Sequence, residues 1–369
     1  MKKKILIFSL IYFISIITAG CFENLEKYQK YDIPNGTKII TEKTIPQKFK
    51  KYATNITIPN SVTEIGDYAF KDCIFLNDII IPDSVTKIGD YAFKDCSFLN
   101  DITIPDSVTE IGEHALEGCS MMITITIPKN IIKIKNNTFD RCTSLETITL
   151  PEKITEIEDY AFTSCSSLKN ITIPNSVNKI GKGAFSCCFT GLETIIIPNG
   201  ITKIEEETFS SCYVLKNIKI PNSVTSIGSN AFSGCSTLKK IIIPKNVTEI
   251  GESAFSTCME LKSVKIVGSI KTIENRMFSS CVALENVTIP EGVIEIGDSA
   301  FSFCNSLKTI TIPNSVKKIG ILSFNDCTSL DIKIPDSVEE IKSGAFDNVK
   351  HIEYHGKAKG APWGAKSIN

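Results

Sequence analysis

The chain has 369 residues, in which 40 lysines and arginines nearly balance 41 aspartates and glutamates, so that the formal net charge is −1. This balance argues against a broadly basic surface of the kind that binds nucleic acid through its charge. The length alone would suggest two or three domains, but most of the sequence is a repeat, and repeat proteins grow by adding turns rather than separate cores.

The first 20 residues differ in character from the rest of the chain. Lys2, Lys3 and Lys4 precede an uncharged apolar run from Ile5 to Ile17. That run is shorter than the ~20 helical residues that cross a bilayer, so residues 1–20 are predicted to be a secretory signal peptide. Its removal takes away three lysines and no acids, which changes the formal net charge from −1 to −4.

The residues at the predicted cleavage site are Thr18-Ala19-Gly20-Cys21. They resemble the lipobox of bacterial lipoproteins, although Thr18 stands where leucine, valine or isoleucine is usual. The resemblance implies cleavage after Gly20, thioether diacylation of Cys21 and a membrane anchor through the lipid. The alternative is an ordinary secreted protein with a cysteine at this position by coincidence. Residues 21–30 are predicted to be a polar tether.

Residues 31–57 are predicted to be an N-terminal cap. The end of a stacked repeat protein exposes apolar surface and an unpaired strand edge, so a cap is required. Residues 40–45 read as a degenerate copy of residues 65–70, and Lys48 falls where later units have a cysteine.

A unit of 23 residues recurs between residues 58 and 348. Residues 104–112, for example, are echoed by residues 173–181. Each unit begins near an Ile-Pro pair, continues through Val-x-x-Ile-Gly and Ala-Phe-x-x-Cys, and ends in a leucine and an alternating Ile-x-Ile. The alternation predicts a strand with one buried face, and stacked units would pair these strands in parallel, ~4.8 Å apart. Counting the phenylalanine column, with Leu116 in one unit, gives thirteen repeats.

Twelve cysteines occupy one position of the repeat, spaced by 23 residues except for one step of 24. They are Cys73, Cys96, Cys119, Cys142, Cys165, Cys188, Cys212, Cys235, Cys258, Cys281, Cys304 and Cys327. Metal ligands normally cluster at shorter spacings, so no metal is expected. Disulfides between turns are the alternative, but in-register Cβ atoms would lie beyond the usual ~3.5–4.5 Å. We predict a structural ladder of buried free thiols, with Cys187 as the one thiol open to reaction.

The pattern Ile-Pro-x-x-Val-x-x-Ile-Gly-x-x-Ala-Phe-x-x-Cys resembles the BspA-like class of bacterial leucine-rich repeats from residue 58 to about residue 349. The resemblance implies a repeat solenoid, a right-handed superhelix of mainly parallel β-structure with short helical or irregular return arcs. It departs at Val267, where the proline is lost, at Leu116, and at Val349, where the last cysteine would fall. Members of this class are surface or secreted proteins, and several are adhesins for host matrix or partner bacteria.

Residues 349–369 are predicted to be a C-terminal cap. His351 to Tyr354 would form a final strand, and Trp363, the only tryptophan, would cover the last turn.

The outward positions of the strands are the two after the leucine and the one between the two isoleucines. Threonine dominates the last of these positions in early repeats, and lysine accumulates in later ones. The later set is Lys216, Lys219, Lys239, Lys240, Lys262 and Lys265. Stacked in three turns, these side chains would form a basic stripe able to bind an acidic protein, a sulfated glycan or anionic lipid head groups. The alternative is an ordinary solvated face of a lysine-rich chain.

The sequence contains no nucleophile motif and no glycine-rich phosphate loop, so neither an enzyme nor a cofactor is expected. We expect a lipid-anchored protein at the bacterial cell surface, an adhesin or protein-interaction scaffold that uses the sheet face. Its ligand would be a protein or glycan of host matrix or of another cell surface, and not nucleic acid. The alternative is a structural or periplasmic envelope protein without a host ligand.

Overall fold

The computed structural model describes residues 26–359 and Trp363. The predicted signal peptide, Cys21 and the tether through residue 25 lie outside the described residues. A 3-10 turn at Glu26–Tyr28 and a strand that starts at Lys30 place the last part of the predicted tether in the first turn of the fold. From there the chain winds into a solenoid of about fourteen turns built from parallel strands.

Most turns contribute a strand to a first column, here called column A. Its strands are Lys30–Asp32, Asn55–Thr57, Asp78–Ile80, Asp101–Thr103, Thr124–Thr126, Thr147–Thr149, Asn170–Ile171, Thr194–Ile196, Asn217–Lys219, Lys240–Ile243, Ser263–Ile266, Asn286–Thr288, Asp331–Lys333 and His351–Glu353. The turn between the twelfth and thirteenth strands is marked by an isolated bridge from Thr288 to Thr311. The register repeats with the sequence, since Ile125 pairs with Ile148 and Ile148 with Ile171. The central residue of these strands therefore faces the interior while its neighbours face out.

A second column of parallel two-residue strands, column B, comes from the Val-x-x-Ile part of each unit. Its strands are Ile39–Ile40, Glu64–Ile65, Lys87–Ile88, Glu110–Ile111, Lys133–Ile134, Glu156–Ile157, Lys179–Ile180, Lys203–Ile204, Ser226–Ile227, Glu249–Ile250, Thr272–Ile273, Glu295–Ile296, Lys318–Ile319 and Glu340–Ile341. In each strand the isoleucine points inward, and from Ile40 onward it is buried. From Glu64 to Lys179 the residue that precedes it alternates between glutamate and lysine, and these side chains pair between turns, as Lys87 does with Glu64 and Glu110 at 3.9 Å.

The return arcs are tight turns rather than helices. Gln47–Tyr52 is the only α-helix in the described part of the chain. Two residues of a typical arc have a positive φ, as at Tyr91 (57°) and Asp95 (58°). Between these two residues the backbone bonds to the next turn, for example from Phe93 N–H to the Ala115 carbonyl at 2.8 Å. The arcs thus form a third hydrogen-bonded side of the solenoid, which satisfies backbone groups that would otherwise be buried without partners.

The interior contains a column of stacked phenylalanine rings. Neighbouring rings lie 5.2–5.8 Å apart from Phe139 to Phe346, and Phe70 and Phe93 form a separate pair at 4.8 Å. Leu116 separates the two stacks. Every member is buried, and each large apolar side chain contributes a gross ~1.5–3 kcal/mol on burial. A single turn has no other way to bury its ring, so the turns stack.

The N-terminal cap is a modified turn. Ile40 pairs with Ile65, and Ile45 is buried where the repeats place phenylalanine. After Ile45 the resemblance to a repeat ends, because Pro46 starts the short helix. Helical geometry changes which side chain faces inward, so Lys50 rather than Lys48 is buried.

The C-terminal turn ends in the strand His351–Glu353, which pairs in parallel with Asp331–Lys333. Trp363 is buried and meets the Tyr354 ring edge to face at 5.4 Å. Its carbonyl accepts a hydrogen bond from Phe346 N–H at 3.1 Å, which ties it to the last phenylalanine of the stack.

Candidate interaction surface on column A

The twelve ladder cysteines are buried and free of disulfides. From Cys96 onward, each thiol donates a hydrogen bond to the carbonyl of the phenylalanine or Leu116 in the preceding turn, at 3.1–3.5 Å. Burial raises the pKa of Cys73 to about 12 and that of Cys327 to about 12. These thiols therefore pack and cap backbone carbonyls, and they are poor nucleophiles at neutral pH because the thiolate is the reactive form.

Cys187 lies beside the ladder at a left-handed position with φ of 58° and is half-buried. Burial raises its pKa as well. The surroundings therefore do not activate this thiol, and greater reactivity than that of the ladder would rest on its partial exposure.

All six lysines of the predicted stripe lie on the exposed face of column A. Two of them face carboxylates of adjacent turns, with Lys216 Nζ 2.8 Å from Glu193 and Lys262 Nζ 3.8 Å from Glu285. The other four have no ion-pair partner within the described residues. They are Lys219, Lys239, Lys240 and Lys265.

The stripe is not purely basic, because two isoleucines share its last outward position. Ile196 pairs in register with Lys219, and Ile242 pairs with Lys265. Ile196 is 83% exposed and Ile242 is 59% exposed. Four successive turns therefore present isoleucine, lysine, isoleucine and lysine. The sequence holds the signal for this pattern, since the four turns before Ile196 have threonine at the same position (Thr103, Thr126, Thr149 and Thr172), with Ile80 before them. Counting lysines alone does not reveal this alternation.

The alternating residues border a shallow depression. Lys219, Lys240, Ile242 and Pro244 line a space of about 300 Å³. Its walls combine two ammonium groups with aliphatic surface, which suits a ligand that has both negative charge and apolar side chains.

The other end of column A carries the opposite charge. Asp78, Asp83 and Asp101 help to line a groove of about 870 Å³, and Ile80, which is 83% exposed, lines the same groove. The exposed face thus changes from acidic near the N-terminal cap to basic in its later turns.

Glu117 forms a charged cluster on the return arcs. Its carboxylate lies 2.9 Å from Lys94 Nζ and 2.7 Å from His114 Nδ1, and it also pairs with Arg141. Burial acts to raise the pKa of Glu117, but the bonds from Lys94, His114 and Arg141 outweigh it and hold that pKa below its usual value. Because Glu117 is almost fully covered, we assign this cluster to the joining of three turns.

Among residues 26–359 and Trp363, no group of histidine, cysteine and acidic side chains has a metal-binding arrangement. In the same part of the chain, no helix is long and apolar enough to cross a membrane.

The geometry defines a leucine-rich-repeat solenoid, a fold that typically serves as an interaction scaffold. A sequence profile described as BspA type Leucine rich repeat region matches residues 15–146, 132–259 and 225–353. The chain belongs to this family, and the predicted resemblance and fold class are confirmed. A search of curated proteins returned no match.

Solved structures of bacterial repeat proteins are similar to this chain. A leucine-rich repeat protein from Bacteroides ovatus is 34% identical, with 83% of this chain and 78% of that chain covered and a TM-score of 0.72. A leucine rich cell surface protein from Faecalibacterium prausnitzii is 34% identical over 82% of this chain and 86% of that one, with a TM-score of 0.58. A leucine-rich repeat protein from Eubacterium ventriosum, 23% identical over 91% and 92%, has a TM-score of 0.60 and shows the fold alone.

Proposed function

We propose that this protein is a lipid-anchored adhesin or interaction scaffold of the bacterial surface, which binds a protein ligand through the later turns of column A. The observation that carries the proposal is the alternation of exposed isoleucine and unpaired lysine from Ile196 to Lys265. The anchor is proposed from the lipobox-like sequence at Cys21, and the surface location from that sequence and from the similarity to a cell surface protein of F. prausnitzii.

The chemistry of the surface favours a protein over a sulfated glycan. A polyanionic glycan would use the lysines but would leave Ile196 and Ile242 without apolar contacts. An acidic protein segment with aliphatic side chains would use both, because burial of apolar area provides affinity while complementary charge provides orientation and rate.

Binding is tested with two variants of column A. Replacing Lys219, Lys240 and Lys265 by glutamate reverses the charge, and replacing Ile196 and Ile242 by threonine removes the apolar groups. Threonine occupies the same position in earlier turns, so the second variant is compatible with the fold. We expect each variant to lose at least about tenfold in affinity, or ~1.4 kcal/mol, for a protein captured from extracellular matrix.

The matched controls alter exposed residues elsewhere. Lys43, Lys48 and Lys51 replaced by glutamate change the net charge equally, and Ile132→Thr removes an exposed isoleucine outside column A. Both controls should bind like the wild type. Unchanged binding of both column A variants would refute this interface. Loss with the lysine variant alone, together with binding to heparin, would indicate a polyanion ligand instead.

The location is tested separately. Labelling with radioactive palmitate should modify the wild type and not Cys21→Ser, and a membrane-impermeant biotin reagent should label the protein on intact cells. Labelling only after the outer layer is broken would favour the envelope role without a host ligand.

A further inference from the structure

The charge of the chain is divided unequally between the cap and the repeats. Residues 27–52 contain seven lysines and two acids, which gives +5. The whole chain carries −1, and residues 1–26 carry three lysines and two acids, so residues 53–369 carry −7. The solenoid therefore has a positive end of one turn and a long negative body.

The lysines of the cap are available for contact. Six of the seven are exposed, and Lys50 alone is buried. Lys38, Lys43, Lys48 and Lys51 have no carboxylate partner within the part of the chain that the structure describes. The repeats differ, because many of their lysines lie beside an acid of the adjacent turn, as Lys133 does beside Glu156 at 2.6 Å.

The position of the cap connects it to the proposed anchor. Only five residues separate Cys21 from Lys27, and an extended chain of this length reaches about 20 Å. A lipid on Cys21 would therefore hold the cap at the bilayer surface, within range of the electrostatic field of anionic head groups. Two acyl chains suffice for stable anchoring, so the lysines would act on orientation rather than on attachment.

We propose that the N-terminal cap is a membrane-docking base, which rests on an anionic lipid bilayer through its exposed lysines. This inference rests on the proposed lipid anchor for its setting. The negative repeats are repelled by the same surface, so the solenoid projects away from it, by about 65 Å for fourteen turns at ~4.8 Å each. The proposed ligand-binding turns of column A are then held clear of the membrane.

The test uses the mature chain, residues 21–369, with Cys21→Ser, so that binding depends on the protein surface alone. Partition onto vesicles of phosphatidylglycerol and phosphatidylcholine is measured at about 0.1 M salt, where charges act over ~10 Å. Each lysine near an anionic surface contributes about fivefold to partition. Replacing Lys43, Lys48 and Lys51 by glutamate should therefore lower partition by at least about 100-fold.

The control variant replaces Lys153, Lys245 and Lys271, which are exposed lysines of the repeats outside the column A strands, by glutamate, and so changes the net charge by the same amount. It should partition within about threefold of the parent chain, less than the effect of one lysine at the surface. Vesicles of phosphatidylcholine alone should bind neither protein. Equal losses in both variants, no loss in the cap variant, or equal binding to neutral vesicles would each overturn the proposal.

Failure of the anchor is distinguishable from failure of the docking base. If palmitate does not label Cys21 but the cap variant still loses vesicle binding, the lysines dock and the anchor is wrong. If Cys21 is lipidated and the cap variant partitions like the parent, the anchor stands and the docking base is refuted.

Discussion

The stacked phenylalanines make a quantitative prediction at Phe232. Its ring lies 5.5 Å from that of Phe209 and 5.3 Å from that of Phe255, and the side chain is fully buried. Phe232→Leu keeps most of the apolar volume but loses two ring contacts, each worth ~0.5–1.5 kcal/mol, so we expect a cost of ~1–3 kcal/mol. Phe232→Ala also leaves a cavity and should cost ~3–5 kcal/mol. Leu116 shows that a turn of this fold accommodates leucine.

The assay must resolve individual turns, because each turn contacts only its neighbours and a single global free energy of unfolding is not assured. Hydrogen exchange followed by mass spectrometry gives the opening free energy of separate segments. Protection should fall most in peptides from residues 205–260 and least in peptides near residues 60–100. Phe303→Leu is the control. Residue 303 is 47% exposed, so this substitution should change protection little.

Two results would refute this reasoning. If Phe232→Leu were as costly as Phe232→Ala, the ring contacts and not the filled volume would dominate the core. If protection fell equally in every turn, the solenoid would unfold as one unit and the nearest-neighbour description would be wrong.

Three further predictions concern buried polar groups. In the native chain with Cys21→Ser, a thiol-specific aromatic disulfide should react with no cysteine other than Cys187, because burial raises the pKa of the ladder thiols. Rapid reaction of all thiols without denaturant would contradict this prediction. Glu117→Gln should destabilise the protein by ~1–3 kcal/mol at pH 7. Because folding lowers the pKa of Glu117, its carboxylate stabilises the fold above the unfolded pKa of about 4.5 and stabilises it less as the pH falls below that value. The difference in melting temperature between the wild type and Glu117→Gln should therefore shrink at low pH. A difference that does not depend on pH would show that the charge of Glu117 is not its cause. Lys50→Met should leave the free energy of unfolding unchanged or raise it by ~1 kcal/mol in chemical denaturation. The buried ammonium donates a hydrogen bond to the Tyr68 carbonyl but has no carboxylate partner within the described residues. A loss of stability above ~2 kcal/mol would refute this prediction.

Much of the fold can be predicted from the sequence because the chain is built from a repeat. A period of 23 residues places Phe232 above Phe209 and Ile148 above Ile125 without further information. One unit cannot bury these side chains alone, so stacking follows from the pattern. The free-thiol arrangement follows from the same register, because parallel side chains at the strand spacing keep cysteine Cβ atoms apart.

The remaining features depend on where the backbone of the adjacent turn lies. The sequence indicates that the glycine after the inner isoleucine is not a left-handed position, since charged residues replace it in several units, but it does not give the reason for glycine. At Gly112 the reason is close approach, because an added Cβ would lie 2.4 Å from the carbonyl carbon of Gly89. Lys50 is hidden for a similar reason, since a helix in place of a return arc changes which residue points inward.

Departures from the repeat are the places to look for function. Stacking favours the same residue in every turn. A departure at a buried position, such as Leu116, is accommodated by the side chains that pack around it in the core. A departure on the exposed face has no such packing requirement to explain it. Ile196 follows four turns with threonine at this position, from Thr103 to Thr172, and is 83% exposed, as is Ile80 in an earlier turn. Ile242 repeats the change two turns later beside an unpaired lysine. A ligand that covers Ile196 and Ile242 would bury their exposed apolar area, and that burial is what these departures can contribute to binding.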